Sequence, residues 1–251
     1  MTNLCSVVTA DDGVAVMTLN DPSRRNALSL ELVDEVSRAL DALESDGTTR
    51  ALVVTGAGKA FSAGADLSQL GESREAGLRS IYEGFLRIAH SPLVTVAAVN
   101  GPAVGAGMNL ALACDVRVAG RSARFDTRFL NLGIGPGGGH TWWLQRIAGP
   151  QTTAAMVLCS QILNADEAHR VGLVWTVTAD DELLATATGL AAGAASAPAE
   201  LLRRTKATLA ATAQGTHAAA LETELVTQLW SMDEPAFAER LAALQSRIRN
   251  D

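Results

Sequence analysis

Alternating apolar positions open the chain. Val7-Val8-Thr9 and Val14-Ala15-Val16-Met17-Thr18-Leu19 flank the turn sequence Asp11-Asp12-Gly13 and predict a β-hairpin. Beyond the loop at 21–26, Ser29 stands as an N-cap before Leu32, Val33, Val36, Leu40 and Leu43, which recur at helical spacing. Residues 51–55 read as a strand, 56–71 as a long glycine-containing loop, and 72–90 as a helix ending before Ser91-Pro92. A strand at 93–99 leads into a second glycine turn and a short helix over about 105–113. That helix is almost wholly apolar and is therefore expected to be buried. Residues 115–119 form another strand, and Pro136-Gly137-Gly138-Gly139 opens a helix through about Arg146, with proline near its start. From about residue 180 the pattern is helical throughout: 180–195, 199–213, 216–230 and 235–248, with Pro198 and Pro235 near helix starts and Gly215 between two helices.

Strands and helices thus alternate early and helices take over late, which predicts an α/β fold with a helical C-terminal region. The organisation expected is a core over 1–195 and a helical oligomerisation region over 196–251. The chain has 251 residues, of which 48% are hydrophobic and 19% charged, enough for a sizeable core and against disorder. Aromatic residues make up only 4%, so alanine, valine and leucine must do most of the packing. A net charge of −7 disfavours broad electrostatic binding to nucleic acid or anionic membrane, so an anionic ligand requires locally placed cations. Cys5, Cys114 and Cys159 are scattered, with neither metal spacing nor a disulfide framework. No basic segment precedes an apolar core at the N-terminus, and no apolar run reaches the ~18–20 residues needed to span a bilayer. A cytoplasmic, reduced protein is expected.

Candidate chemistry lies in two glycine-rich turns, each following an apolar strand. The first is Phe61-Ser62-Ala63-Gly64-Ala65-Asp66; the second is Gly101-Pro102-Ala103-Val104-Gly105-Ala106-Gly107. Small residues let the backbone approach a ligand closely, and two N–H groups converging on one carbonyl oxygen would stabilise negative charge there. Competing motifs fail on inspection. Gly56-Ala57-Gly58 follows a strand, but the third glycine of a dinucleotide fingerprint would fall at Phe61. Gly58-Lys59 lacks the rest of a phosphate loop. There is no Gly-x-Ser-x-Gly elbow, and His90, His140, His169 and His217 lack zinc spacing.

Four motifs occur in order: Phe61–Asp66, the Asn100–Gly107 turn leading to Cys114-Asp115, Leu132-Gly133-Ile134-Gly135-Pro136-Gly137-Gly138-Gly139, and Ala168-His169-Arg170-Val171-Gly172-Leu173-Val174. In that register the chain resembles the crotonase family, also called the enoyl-CoA hydratase/isomerase superfamily, over nearly its whole length. The resemblance implies a spiral of ββα units, a helical C-terminal region, trimers or dimers of trimers, and acyl-CoA thioester ligands. It places the oxyanion donors on the N–H groups of Ala65 and Ala106. It places the CoA adenine against backbone at Ala63, Ala65, Asp66 and Leu67. Arg25, with Arg24 and Lys59 beside it, is expected to meet the phosphates, and Arg240 or Arg247 to reach a neighbouring subunit's CoA. Asp66 also suits a helix cap. Coenzyme A enters only as part of the ligand; no separate cofactor is implied.

One departure bears on mechanism. The two positions that carry catalytic glutamates in family hydratases fall here on Asn109 and Phe129. Hydration needs one group to activate water and another to protonate the α-carbon, and neither residue does this near neutral pH. Candidate substitutes are His140, then Asp126 and Glu83, while Phe129, Trp142 and Trp143 are candidates for an apolar acyl pocket. Arg128 flanks the lost site. The sequence therefore predicts a weak or inactive standard hydratase. Open alternatives are an enzyme of different chemistry (thioester hydrolysis, decarboxylation or slow isomerisation), a non-catalytic acyl-CoA carrier, and a structural oligomer without ligand.

Overall fold

Antiparallel pairing of Cys5–Thr9 (β1) with Val14–Leu19 (β2), in register from Cys5 opposite Leu19 to Thr9 opposite Ala15, forms the expected hairpin and one edge of the main sheet. The computed structural model describes residues 3–66, 68, 74–213 and 215–250. Beyond the hairpin, Ala51–Gly56 (β3), Val94–Val99 (β4), Val116–Gly120 (β6) and Thr176–Thr178 (β9) join in parallel, giving a six-stranded sheet. A second, three-stranded sheet pairs Pro102–Val104 (β5) with Arg124–Asp126 (β7) and then Leu163–Asn164 (β8). Each return of the chain thus contributes one strand to each sheet: β4 then β5, β6 then β7, β8 then β9. This is the crotonase-like α/β spiral, with a helical C-terminal region.

Helices fill the spaces around the spiral. Leu30–Ser45 (α1) is capped by Ser29, whose side chain accepts from Leu32 N, and it buries Leu32, Val33, Val36, Leu40 and Leu43, the stripe read from the sequence. Arg74–His90 (α2) packs on α1. A Cβ at Gly84 would lie 2.7 Å from Val33 Cγ2, so glycine sets that approach. Ala106–Ala113 (α3) is buried at every residue, as its almost wholly apolar circumference requires, with Asn109 its one polar side chain. On the other face of the main sheet, Leu183–Ala195 (α6) lays Leu183, Ala187, Ala191 and Ala195 against Val53, Val96 and Val118.

Some boundaries differ from the pattern. The helix expected from Pro136 is His140–Leu158 (α4), because Gly138 and Gly139 adopt left-handed φ of 66° and 78° and delay helical geometry until His140. It also runs past Arg146, broken at Gly149 (φ 80°) and resumed by Pro150. Strands β5, β7, β8 and β9, at two or three residues, are too short to show periodicity in the sequence. Ala165–Arg170 (α5) carries a capping box between Asn164 and Glu167. The C-terminal helices Ala199–Thr212 (α7), His217–Asp233 (α8) and Pro235–Asn250 (α9) contain no buried residue among those described. No helix among the described residues is long and apolar enough to cross a membrane.

Candidate active site

Two asparagines shape the loop that carries the first glycine turn. Asn26 is fully buried with left-handed φ of 56°, a conformation asparagine tolerates better than most residues. Its Nδ2 donates to Ala57 O (3.0 Å) and Ala60 O (2.9 Å), and its Oδ1 accepts from Asp21 N (3.0 Å). Asn100 reaches the same loop from the end of β4: its Nδ2 donates to Gly56 O (2.8 Å) and Gly58 O (3.1 Å), and its Oδ1 accepts from Gly56 N (3.2 Å). The loop is then laced to the second turn, with Ser62 N donating to Pro102 O (3.2 Å) and Val104 N to Ser62 O (3.0 Å).

This lacing brings Ala65 and Ala106 to one cavity. Leu28 N donates to Gly64 O and Asp66 N to Leu28 O, a parallel bridge that leaves the intervening Ala65 N–H turned away from the ladder. Ala106 is the first residue of α3, so its N–H has no acceptor within the helix. Gly64 (φ 102°) separates them, and a Cβ there would press on Val104 O at 2.8 Å and stand 3.7 Å from Ala106 N. A cavity of about 670 Å³ opens against both alanines, with Ala63, Tyr82, Asn109, Phe129 and Gly137 among its walls.

Beside the turns, Asn109 and His140 form a closed unit. Asn109 Nδ2 donates to Gly137 O (3.0 Å), and Asn109 Oδ1 lies 2.6 Å from His140 Nδ1. Phe129 packs edge-on against the imidazole, centroids 5.0 Å apart. His140 is 1% exposed and its Nε2 has no hydrogen-bond partner; burial pushes its pKa down from 6.5 to about 4, so it is neutral near pH 7. It is the first residue of α4 rather than one turn inside it, and it does not line the cavity.

The remaining candidates divide. Trp142 is exposed with Arg146 over its ring, and Trp143 packs on Phe85, so neither builds the cavity wall. Glu83 is exposed on α2 and Asp126 is paired with Arg128, whose Nε donates at 2.8 Å; neither carboxylate lines the cavity, although Arg128 does. Arg24 is held by Asp21 (2.6 Å) and Asp66 (3.3 Å). Arg25 and Lys59 are exposed and have no ion pair among the described residues, while Arg25 O accepts from Ala63 N. Asp66 accepts from Ser68 N and Oγ within a local turn, while the described helix that follows starts at Arg74. Leu67 lies outside the described residues. Arg240 donates to Ser196 O (2.7 Å) and Arg247 is exposed. Sequence reasoning missed Tyr82 and Arg74 as cavity residues; a helix facing a loop has no local signal for which side meets the ligand. No group of metal-ligating side chains occurs among the described residues.

The family model described as Enoyl-CoA hydratase/isomerase matches residues 9–243. A Mycobacterium tuberculosis protein described as "Probable enoyl-CoA hydratase EchA14" is 48% identical over 251 residues, covering 96% of this chain and 97% of its own. Among solved structures, an enoyl-CoA hydratase from Bacillus anthracis superposes with a TM-score of 0.93 at 30% identity, covering 97% of this chain and 96% of that one. A Thermobifida fusca YX protein solved in complex with acetoacetyl-CoA gives a TM-score of 0.83 at 30% identity, covering 92% and 95%.

Two outcomes follow for stability. Asn26→Leu removes the Nδ2 donor from the Ala57 and buried Ala60 carbonyls, leaves buried Asp21 N without its acceptor, and puts a branched side chain at positive φ; a loss of at least ~3 kcal/mol is expected in urea unfolding. An unchanged midpoint would contradict the clamp. For His140, the unfolded chain takes up a proton below pH ~6.5 that the folded chain refuses down to about 4. Its contribution to stability is therefore intact above pH 6.5 and falls as pH drops through that window, by on the order of 3 kcal/mol. The difference between wild-type and His140→Leu unfolding curves should show that slope, and parallel curves would refute it.

Proposed function

The chain belongs to the enoyl-CoA hydratase/isomerase family, and on that premise we propose that it binds acyl-CoA thioesters through the Ala65 and Ala106 amides while hydrating enoyl-CoA slowly or not at all. The observation that carries this reading is the pairing of two unspent backbone donors with a cavity that no described carboxylate lines. Donors fixed before the ligand arrives cost no reorganisation when charge develops on the thioester oxygen, and each is worth ~2.7–4 kcal/mol of barrier. An enolate is thereby stabilised whatever the next step. Hydration asks for more. Asn109 is a neutral amide and Phe129 a hydrocarbon, and each missing acid–base group forfeits ~10²–10⁴ in rate. His140 does not replace them, since it is buried and already bonded to Asn109.

The name of the Mycobacterium tuberculosis relative supports ordinary hydration, and the acetoacetyl-CoA complex of the Thermobifida fusca protein supports the thioester ligand. In this reading the backbone of Ala63, Ala65 and Asp66 faces the adenine, and exposed Arg25 and Lys59 meet the phosphates, supplying the local positive charge that an acidic protein otherwise lacks. Residues 196–251 are the assembly region of a homotrimer or dimer of trimers. Leu221, Leu225, Leu229, Leu241 and Leu244 are exposed on α8 and α9, more apolar surface than a lone chain in water favours.

But-2-enoyl-CoA hydration and calorimetric titration with butanoyl-CoA test the two halves separately. Saturable binding with kcat well below the ordinary ~1–10³ s⁻¹ is expected, and ordinary turnover would overturn the argument about proton handling. Absence of saturable heat would overturn the thioester reading itself. Saturable binding without turnover of any thioester would assign the chain as a carrier. Light scattering should give a multiple of three chains, and a monomer would remove the assembly role.

A further inference from the structure

The chain holds a single tyrosine, Tyr82, and its hydroxyl is unspent. The ring is half-buried on α2 and packs on Phe85, centroids 5.7 Å apart. The hydroxyl has no hydrogen-bond partner among the described residues. A glycine makes room for it: a Cβ at Gly137 would collide with the Tyr82 oxygen, so the phenol stands directly against the Gly137 wall of the cavity. Gly137 O is bonded in turn to Asn109, one helical turn after Ala106. This short series of contacts sets the hydroxyl beside the turn that presents the Ala106 amide.

The same face of α2 supplies charge. Arg74, Leu78, Ile81 and Tyr82 recur at helical spacing and line one cavity. Arg74 is exposed and has no ion pair among the described residues. Arg128, the other lining arginine, is held by Asp126 outside the cavity. Arg74 precedes Tyr82 by about 12 Å along the helix axis, with Leu78 and Ile81 between them. The cavity therefore carries unopposed positive charge at one end of this face and a neutral acid in apolar surroundings at the other.

A thioester becomes an enolate when a base removes its α-proton, or when a carboxylate on its α-carbon leaves as CO2. No described carboxylate lines the cavity to act as that base, and His140 is buried and bonded to Asn109. We propose that the site decarboxylates 2-carboxyacyl thioesters and that Tyr82 is its catalytic acid. This rests on the thioester reading above and deepens it by naming the substrate class and the reaction. The bond between the α-carbon and the carboxylate breaks, and its electron pair moves into the bond between the α-carbon and the thioester carbonyl. Negative charge passes to the thioester oxygen, against the Ala65 and Ala106 amides, and CO2 departs uncharged. The Tyr82 O–H bond then breaks, its proton forms the new bond at the α-carbon, and the phenolate recovers a proton from water. Arg74 attracts the acyl carboxylate into the cavity, and at its distance from Tyr82 it does not clamp the group that leaves.

Malonyl-CoA, methylmalonyl-CoA and ethylmalonyl-CoA are the probes, with CO2 release and the shortened thioester as readouts. Wild type should turn over methylmalonyl-CoA and, in deuterium oxide, place deuterium on the propanoyl α-carbon in a single configuration. Tyr82→Phe removes a hydroxyl that bonds to nothing, so the urea midpoint and KM should hold. Its kcat should fall by about 10²-fold, and deuterium should enter in both configurations because water replaces the phenol. Gly137→Ala keeps the tyrosine but displaces its oxygen, and should scramble the configuration in the same way. Arg74→Gln should raise KM for the carboxylated thioester severalfold while butanoyl-CoA binds as before. No CO2 from any probe by protein that binds butanoyl-CoA, or an unchanged rate and configuration in Tyr82→Phe, would overturn the proposal. Failure of butanoyl-CoA to bind wild type would instead overturn the thioester reading on which it rests.

Discussion

Asn26 and Asn100 are the hydrogen-bonding constraint on which the site depends. Between them they bind the carbonyls of Gly56, Ala57, Gly58 and Ala60, the backbone of a loop with no regular ladder of its own. Buried loop carbonyls without donors are costly, so two side-chain amides do for this segment what a neighbouring strand does for a strand. The consequence is transmitted directly. Ser62 and Phe61 are presented to Pro102 O, Val104 is bonded to Ser62 O, and the two glycine turns become one rigid object. The positions of the Ala65 and Ala106 amides are thus set by residues that touch no ligand.

A second constraint is close packing without side chains. Gly107 has Ser62 O where a Cβ would be, at 2.5 Å, and Gly64 has Val104 O at 2.8 Å. Backbone therefore meets backbone across the turns. Ala106 itself starts a helix that is buried all round, so the amides at its N-terminus face the cavity from a fixed element rather than a mobile loop. The helix end also favours negative charge at the cavity.

Much of this was legible from residue patterns. The apolar stripe of α1, its serine cap, the wholly buried α3 and the four terminal helices follow from spacing alone. The glycine turns also marked where two backbone segments meet at the cavity. The Asn26 clamp left no such mark, because its partners lie more than thirty residues away and are carbonyls that every residue has. The start of α4 was misplaced for a related reason. Pro136 resembles a first-turn proline, and only the positive φ of Gly138 and Gly139 shows that the helix begins later. Burial of His140 against Asn109 joins two helices whose contacting residues lie 31 apart in sequence, so its depressed pKa had no local signature.

Labour at the cavity is divided between backbone and side chain. A backbone N–H is present at Ala65 and Ala106 whatever occupies positions 109 and 129, so these donors are insulated from substitutions there. Those positions in turn carry no weight in the lacing of the two turns, which runs through Asn26, Ser62, Asn100 and Val104. An asparagine and a phenylalanine therefore enter without loosening the fold. They share His140 as a neighbour: its ring donates a hydrogen bond to Asn109 Oδ1 and meets the Phe129 ring in an edge-to-face contact. A glutamate at 109 would offer the same contact to the imidazole but would bring a charge into a site where His140 is held neutral and Nε2 is unsolvated. The neutral pair is the solution compatible with that buried ring, and no described carboxylate lines the cavity beside it.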